Sequence, residues 1–406
     1  MLSLNVRLGA MMFLEYIIWG SWYVTLSTYL TTTLGFTGTQ AGMVFGTVSV
    51  ASMVSPFFVG MVADRYFSTE RVMAVLYLIG AVLAYAVTQV TSFGAVYATL
   101  LLYGLAYFPT IALTNSIIMQ NVKDAGRDFP VIRMLGTIGW IVAGLVVGSL
   151  KVETTSTPFL IASGVSVLMA IYSLAALPHT PPPAKGKAVS LRGVLGLDAL
   201  AMLKQRAFLV FVIASLLACI PLTFYYSFTN TYLNGIGVEN AAGKMTLGQA
   251  SEVIMMLLMP FIFRRVSVKG VLLLGLFAWA ARYLLLAYGD AGPGVWMLYM
   301  AIILHGICYD FFFVTGQLYT DQEAPSHLRS TAQGFIIFVT YGVGMLAGSL
   351  LSGSAVDFFT SAGPAGPVRN WTGFWMSSSA MAAVIFLMVV LFFNSRAKIQ
   401  AKESGA

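Results

Sequence analysis

Residues 40–71 read QAGMVFGTVSVASMVSPFFVGMVADRYFSTER. No formal charge occurs over 40–63; Asp64 and Arg65 then open a short polar connection, and a second apolar run begins at residue 72. A helix rises about 1.5 Å per residue and the hydrocarbon core of a bilayer is about 30 Å thick, so a run of this length can span it. The pattern recurs from end to end. Breaks at charges, Gly/Pro clusters and polar loops leave apolar runs near 7–31, 40–63, 72–91, 95–120, 129–150 and 158–177. Six more lie near 208–233, 244–263, 270–289, 294–319, 330–354 and 373–394.

Composition agrees with a lipid solvent. Of 406 residues 58% are hydrophobic and 9% charged, where a soluble domain has roughly half apolar and about a quarter charged residues, and mean hydropathy is +0.84. A soluble fold is excluded, and catalysis on a soluble substrate becomes a poor reading. The net charge of +7 does not mark a nucleic-acid binder, because the bases lie in short connections and form no patch. Cys219 and Cys308 both fall inside apolar runs without metal spacing, which leaves neither a disulfide framework nor a zinc site. The first run is too long for a signal-peptide core and contains Glu15, so it is expected to remain as the first span.

The longest polar stretch, 178–207, holds Pro181, Pro182 and Pro183, then Lys185, Lys187, Arg192, Lys204 and Arg206. It divides the chain into an N-terminal six-helix bundle, 1–177, and a C-terminal six-helix bundle with a short tail, 208–406. Within this linker Leu195–Leu203 suits a short amphipathic helix on the membrane surface. Assigning alternate connections to opposite sides places Arg7, Arg65, Arg71, Lys123, Arg127, the five linker bases, Arg264, Arg265, Lys269, Arg329, Arg396, Lys398 and Lys402 on one side. Only Lys151, Lys244 and Arg369 fall on the other. Seventeen bases against three make both termini and the linker cytoplasmic.

Five charges lie inside predicted spans: Glu15, Arg133, Glu252, Arg282 and Asp310, accompanied by His305. Each such charge costs about 2.5–3.5 kcal/mol at a helix centre, so it faces protein or a wet cavity and marks a pathway. Rise per residue puts Glu252 and Arg282 both roughly 10–12 Å below the external surface, where they can pair. Glu15 and Asp310 sit roughly 12–14 Å from the cytoplasmic ends of helices in opposite halves. Arg133 reads either as a snorkelling base at the interface or as a bundle-facing cation. Three acids against two bases leave one carboxylate without a fixed cation, and desolvation favours the protonated form of such a group. Glu252, Asp310 and Glu15 are the proton-coupling candidates, with a structural ion pair the alternative for each. His305 reads as a proton relay, a substrate donor or a satisfied buried histidine.

The connection Gly60-Met-Val-Ala-Asp64-Arg65 resembles the cytoplasmic loop signature of the major facilitator superfamily, although the usual following Gly-Arg pair is replaced by Tyr66 and Phe67. That resemblance implies an all-α membrane protein of twelve transmembrane helices in two six-helix bundles, with a substrate site near the bilayer midplane worked by rocking of one half against the other. Longer stretches narrow it. Phe13-Leu-Glu-Tyr-Ile-Ile-Trp-Gly-Ser-Trp22, Tyr107-Phe-Pro-Thr110, Asp128-Phe-Pro-Val-Ile-Arg133-Met-Leu-Gly-Thr137-Ile-Gly-Trp140, Gln249-Ala-Ser-Glu252 and Tyr309-Asp310-Phe-Phe312 together are similar to the nucleoside:proton symporter family. The segments ending at Arg282, Asp290 and Gly334 agree, and the likeness covers nearly the whole chain.

What this resemblance implies is proton-driven nucleoside uptake in a bacterial cytoplasmic membrane, by a monomer embedded in the lipid bilayer, with no cofactor, no metal and no nucleic-acid partner. On the same carry-over Arg133, Thr137, Gln249, Glu252, His305, Tyr309 and Asp310 line the substrate site. A ribose suits carboxylate, guanidinium and amide partners, and a planar base suits an aromatic such as Trp140, Tyr309 or Phe312, each of which reads equally as bundle packing. The chain departs from the family in the seventh helix, where Thr223 and Tyr226 stand in place of amide side chains, and at His305, which replaces a tyrosine. Base preference therefore stays open, and a modified nucleoside or another ribose-like solute, carried with or without protons, is the alternative. Pro109 and Pro221 inside apolar runs suit kinks, while Gly342, Gly344 and Gly348 suit close packing or a moving gate. A non-transporting sensor predicts a signalling domain, whereas the longest polar segment is the linker. An intramembrane enzyme lacks both an H-E-x-x-H motif and a Ser/His/Asp set.

Overall fold

The computed structural model describes residues 3–182, 197–364 and 366–394, and for 56–65, 125–126, 197 and 330 the backbone alone. Twelve long helices follow in chain order: α1 (Leu4–Trp22), α2 (Gly38–Arg65), α3 (Thr69–Val87), α4 (Phe93–Asn121), α5 (Ala125–Ser149), α6 (Thr157–Ala175), α7 (Arg206–Gly235), α8 (Ala241–Phe263), α9 (Val268–Tyr288), α10 (Val295–Glu323), α11 (Thr331–Phe358) and α12 (Trp371–Phe392). Among the described residues, ten are long and apolar enough to cross a membrane by length and composition.

Short polar signals set the helix starts. Before α2, Thr37 and Gln40 form a reciprocal box, the Gln40 N–H donating to Thr37 Oγ1 at 3.1 Å and the Thr37 N–H to Gln40 Oε1 at 3.0 Å. Asp124, Ser267 and Asn370 accept from backbone N–H groups in the first turns of α5, α9 and α12. The chain after α6 is pinned to the start of α3: the Thr180 N–H donates to Glu70 Oε2 at 3.0 Å, and His179 Nδ1 lies 2.8 Å from Glu70 Oε1.

Two helices change pitch. In α10 a five-residue π-helical segment, Asp310–Val314, follows a break at Leu304, and in α11 Phe338–Gly344 is π-helical. Such segments carry an extra residue per turn and re-aim the side chains around them. The first apolar run is likewise not one smooth helix, since α1 stops at Trp22 and resumes as Leu26–Thr28 and a π turn, Tyr29–Thr33. Leu195–Leu203 was expected to be an amphipathic helix; the structure has a 3₁₀ helix at Leu197–Lys204, with Ala199 and Met202 buried and Leu200 exposed. The rest of the linker, 183–196, lies outside the described residues. Between α11 and α12, Thr360–Gly363 (β1) and Gly366–Arg369 (β2) pair antiparallel, Thr360 opposite Arg369.

The chain forms two compact units, Met1–Val189 with Ser227–Asn234 and Glu239–Thr246, and Ser190–Tyr226 with Gly235–Val238 and Leu247–Ala406. In the first, α1 lies so close to α5 that a β-carbon at Gly139 would collide with the Phe13 carbonyl, and Gly136 meets the Tyr16 ring. Trp22 stacks on Phe159 at 5.4 Å and donates to Tyr103 at 3.2 Å. In the second, Tyr283 stacks on Trp375 at 5.9 Å, and Gly306 of α10 packs on the backbone of Ser251 in α8. Outward faces are apolar: Leu257, Val82 and Leu391 are about 70% exposed, as side chains facing lipid must be.

Candidate functional site

In the first unit the predicted residues of α5 meet α1. The Arg133 guanidinium lies 4.3 Å from the centre of the Tyr16 ring, and Arg133 and Thr137 are half-buried. A guanidinium held over an aromatic face is both oriented and stabilised by the ring quadrupole. Trp140 packs edge-on against Trp19 at 5.3 Å and Tyr23 at 6.1 Å, leaving it half-buried in an aromatic cluster.

Glu15 is fully buried. Tyr77 OH donates to its Oε2, Thr110 Oγ1 is 2.9 Å from its Oε1, and Tyr107 OH donates to its backbone carbonyl at 2.7 Å. Both carboxyl oxygens are thus engaged inside the bundle, by Thr110 of α4, from a stretch that carries the family resemblance, and by Tyr77 of α3, which the sequence did not single out.

The second unit holds the denser cluster. On α10, His305 is fully buried, its ring stacked on Tyr225 at 5.6 Å and 19°. Arg282 Nη1 of α9 lies 3.1 Å from His305 Nδ1, and the guanidinium carbon is 3.3 Å from the centre of the Tyr225 ring. On the other side of the imidazole, Nε2 is 3.3 Å from Tyr226 OH and 3.9 Å from Glu252 Oε2. The expected pairing of Arg282 with Glu252 is therefore replaced by a bridge, because the shared depth of the two charges said nothing about the imidazole that α10 inserts between them.

Tyr309 OH bonds Tyr341 OH, and the Tyr309 ring centre is 5.8 Å from that of His305. Asp310 follows at the start of the π segment, fully buried, and neither of its carboxyl oxygens has a hydrogen-bond partner. Gln249 lies one helical turn before Glu252, and both are half-buried. Tyr226, Glu252, His305, Tyr309 and Asp310 are brought to one neighbourhood. Thr223 is buried, donates to the Cys219 carbonyl at 2.7 Å, and packs against Gly348 of α11. Gly60, Asp64 and Arg65 fall at the end of α2, and their side chains lie outside the described residues.

Glu153, in the connection after α5, went unnoticed because an acid in a polar loop reads as solvated. It is 4% exposed. Asn230 and Asn234, four apart on one face of α7, donate to its Oε2 at 2.6 and 2.8 Å, and the Ala242 N–H at the start of α8 donates to Oε1 at 3.1 Å. All four residues belong to the first unit. The two asparagines at helical spacing were the signal available in the sequence.

Long apolar helices with buried ionisable clusters define a multi-pass membrane carrier of the major facilitator fold, twelve helices in two six-helix bundles. Two crystal structures of the nucleoside transporter NupG match over 97% of this chain and all of theirs, with TM-scores of 0.91 and 0.88 at 31% identity. The transporter YegT of Escherichia coli (strain K12) is 43% identical, covering 96% of this chain and 94% of YegT, and the xanthosine permease of the same organism is 35% identical, covering 97% and 96%. The model of the nucleoside H+ symporter family matches residues 2–398. The chain belongs to that family, whose members are transporters and not enzymes.

Proposed function

We propose that this chain imports nucleosides with protons by alternating access, both termini facing the cytoplasm and a single chain sufficing. The observation that carries the reading is Asp310: a fully buried carboxyl group with both oxygens unpartnered, in a family of nucleoside H+ symporters. A buried carboxylate without donors or cation is costly, and a proton or a substrate group removes that cost.

Glu252 and Asp310 take the proton in this reading. Glu15 is the weaker candidate, because Tyr77 and Thr110 already engage its carboxyl group. Arg133, Thr137, Gln249, Glu252, His305 and Tyr309 suit the hydroxyls of a ribose, and Trp140 suits the face of a base. Support for a nucleoside also comes from relatives named as nucleoside transporter and xanthosine permease.

Purified protein should be thermally stabilised by nucleosides and not by free sugars, and Gln249→Ala should weaken that stabilisation. Proteoliposomes with an acidic exterior should accumulate nucleoside and lose the accumulation when the gradient is collapsed. Stabilisation by sugars alone overturns the substrate class; accumulation indifferent to the gradient overturns the coupling.

A further inference from the structure

Arg282 is the one intramembrane charge that the transport reading leaves without a task. It is fully buried, its Nε and Nη2 have no hydrogen-bond partner, and its Nη1 is directed at His305 Nδ1 at 3.1 Å. A guanidinium has five donors and no acceptor. The His305 Nδ1 lone pair must therefore accept, and a neutral imidazole whose Nδ1 accepts carries its single proton on Nε2.

We propose that Arg282 is a positioning residue that fixes His305 as the Nε2–H tautomer, so that the ring presents a hydrogen-bond donor, and never an acceptor, toward Tyr226 and Glu252. The groups around the ring leave it little alternative. Tyr225 of α7 stacks on it, Tyr226 of α7 and Glu252 of α8 face Nε2, Arg282 of α9 faces Nδ1, and Tyr309 lies one turn along α10. Gly248 of α8 comes so close that a β-carbon there would stand 3.1 Å from the His305 Cβ, so the ring is confined from that side too.

Two consequences follow, both resting on the reading of this cluster as the nucleoside site. A substrate atom that takes the place of Tyr226 OH at Nε2 must be an acceptor: a hydroxyl oxygen, a base carbonyl oxygen or an unprotonated ring nitrogen. A substrate that offers N–H at that point is disfavoured, since two donors would face each other. Further, Nε2 already holds a proton, so His305 takes none from the Glu252 carboxyl 3.9 Å away.

The test is nitrogen-15 NMR of the full chain, labelled at histidine, in nanodiscs. There are three histidines, and His305→Gln identifies the His305 signals by their loss. The wild type is expected to show a protonated Nε2 and a bare Nδ1. Arg282→Lys, which keeps a donor, should preserve that signature, and Arg282→Met should replace it by a mixture or by the opposite tautomer. A wild-type ring protonated at Nδ1 overturns the proposal, and so does an unchanged spectrum in Arg282→Met. The wild-type spectrum decides even if the Met variant does not fold.

Nucleoside binding supplies a second readout. His305→Gln keeps a donor and should bind within about threefold of wild type, while His305→Met should lose about tenfold, the upper end for one uncharged hydrogen bond. Equal binding by both variants overturns the donor role. Failure of the wild type to bind any nucleoside defeats the substrate reading and leaves the spectrum to decide the tautomer.

Discussion

Replacing Glu153 should loosen one end of the first unit by a calculable amount. Its Oε2 accepts from Asn230 and Asn234 and its Oε1 from the Ala242 N–H, at 2.6, 2.8 and 3.1 Å, with 4% of the residue exposed. The Asn230 amide cannot turn round to compensate, because Thr28 Oγ1 donates to its Oδ1 at 2.6 Å. A hydrogen bond to a charged group contributes about 1.5–3 kcal/mol net. In Glu153→Gln the single amide oxygen serves the two asparagines, and the Ala242 N–H, one of the orphan donors of a helix start, meets an NH₂ group instead. One such bond is lost, and exchange of the Ala242 amide should speed up about 10- to 150-fold if it opens locally. Glu153→Ala removes all three, for a loss of about 3–6 kcal/mol after partial rehydration of the asparagines. Hydrogen exchange by mass spectrometry on peptides covering 227–246 reads both. If Glu153→Ala leaves protection there within twofold of wild type, the carboxylate is not what holds these segments, and the reasoning fails.

Three further outcomes are expected. Glu15→Gln should retain the fold within about 1 kcal/mol: an amide oxygen can accept from Tyr77, its NH₂ can donate to Thr110, and Thr110 can donate to the Tyr107 carbonyl 2.6 Å away. Glu15→Ala should cost about 3 kcal/mol by orphaning Tyr77 and opening a cavity, and loss of proton-driven uptake in the Gln variant would return Glu15 to the coupling machinery. Glu252→Gln and Asp310→Asn should each abolish accumulation against a gradient while nucleoside exchange persists, measured in proteoliposomes; full accumulation in both defeats the assignment. Gly139→Val should cost about 3 kcal/mol, the upper end for overpacking, by driving a side chain into the Phe13 carbonyl; an unchanged melting temperature would mean that α1 and α5 separate without penalty.

The sequence by itself determined the membrane solvent, the helix count and the family, for a physical reason: a spanning helix must be apolar over about twenty residues, so length and hydropathy are written locally. It also marked Glu15, Arg133, Glu252, Arg282 and Asp310, because a charge inside such a run is conspicuous. Only the tertiary structure decided what each charge faces. Helical phase along one chain does not fix the rotation of neighbouring helices, so equal depth suggested that Glu252 meets Arg282, while the packing of α8, α9 and α10 put His305 between them. The same limit hid Glu153, whose burial comes from asparagines some eighty residues along the chain. Depth is a property of one helix, whereas a site is a property of several, and only their packing says which side chains share it.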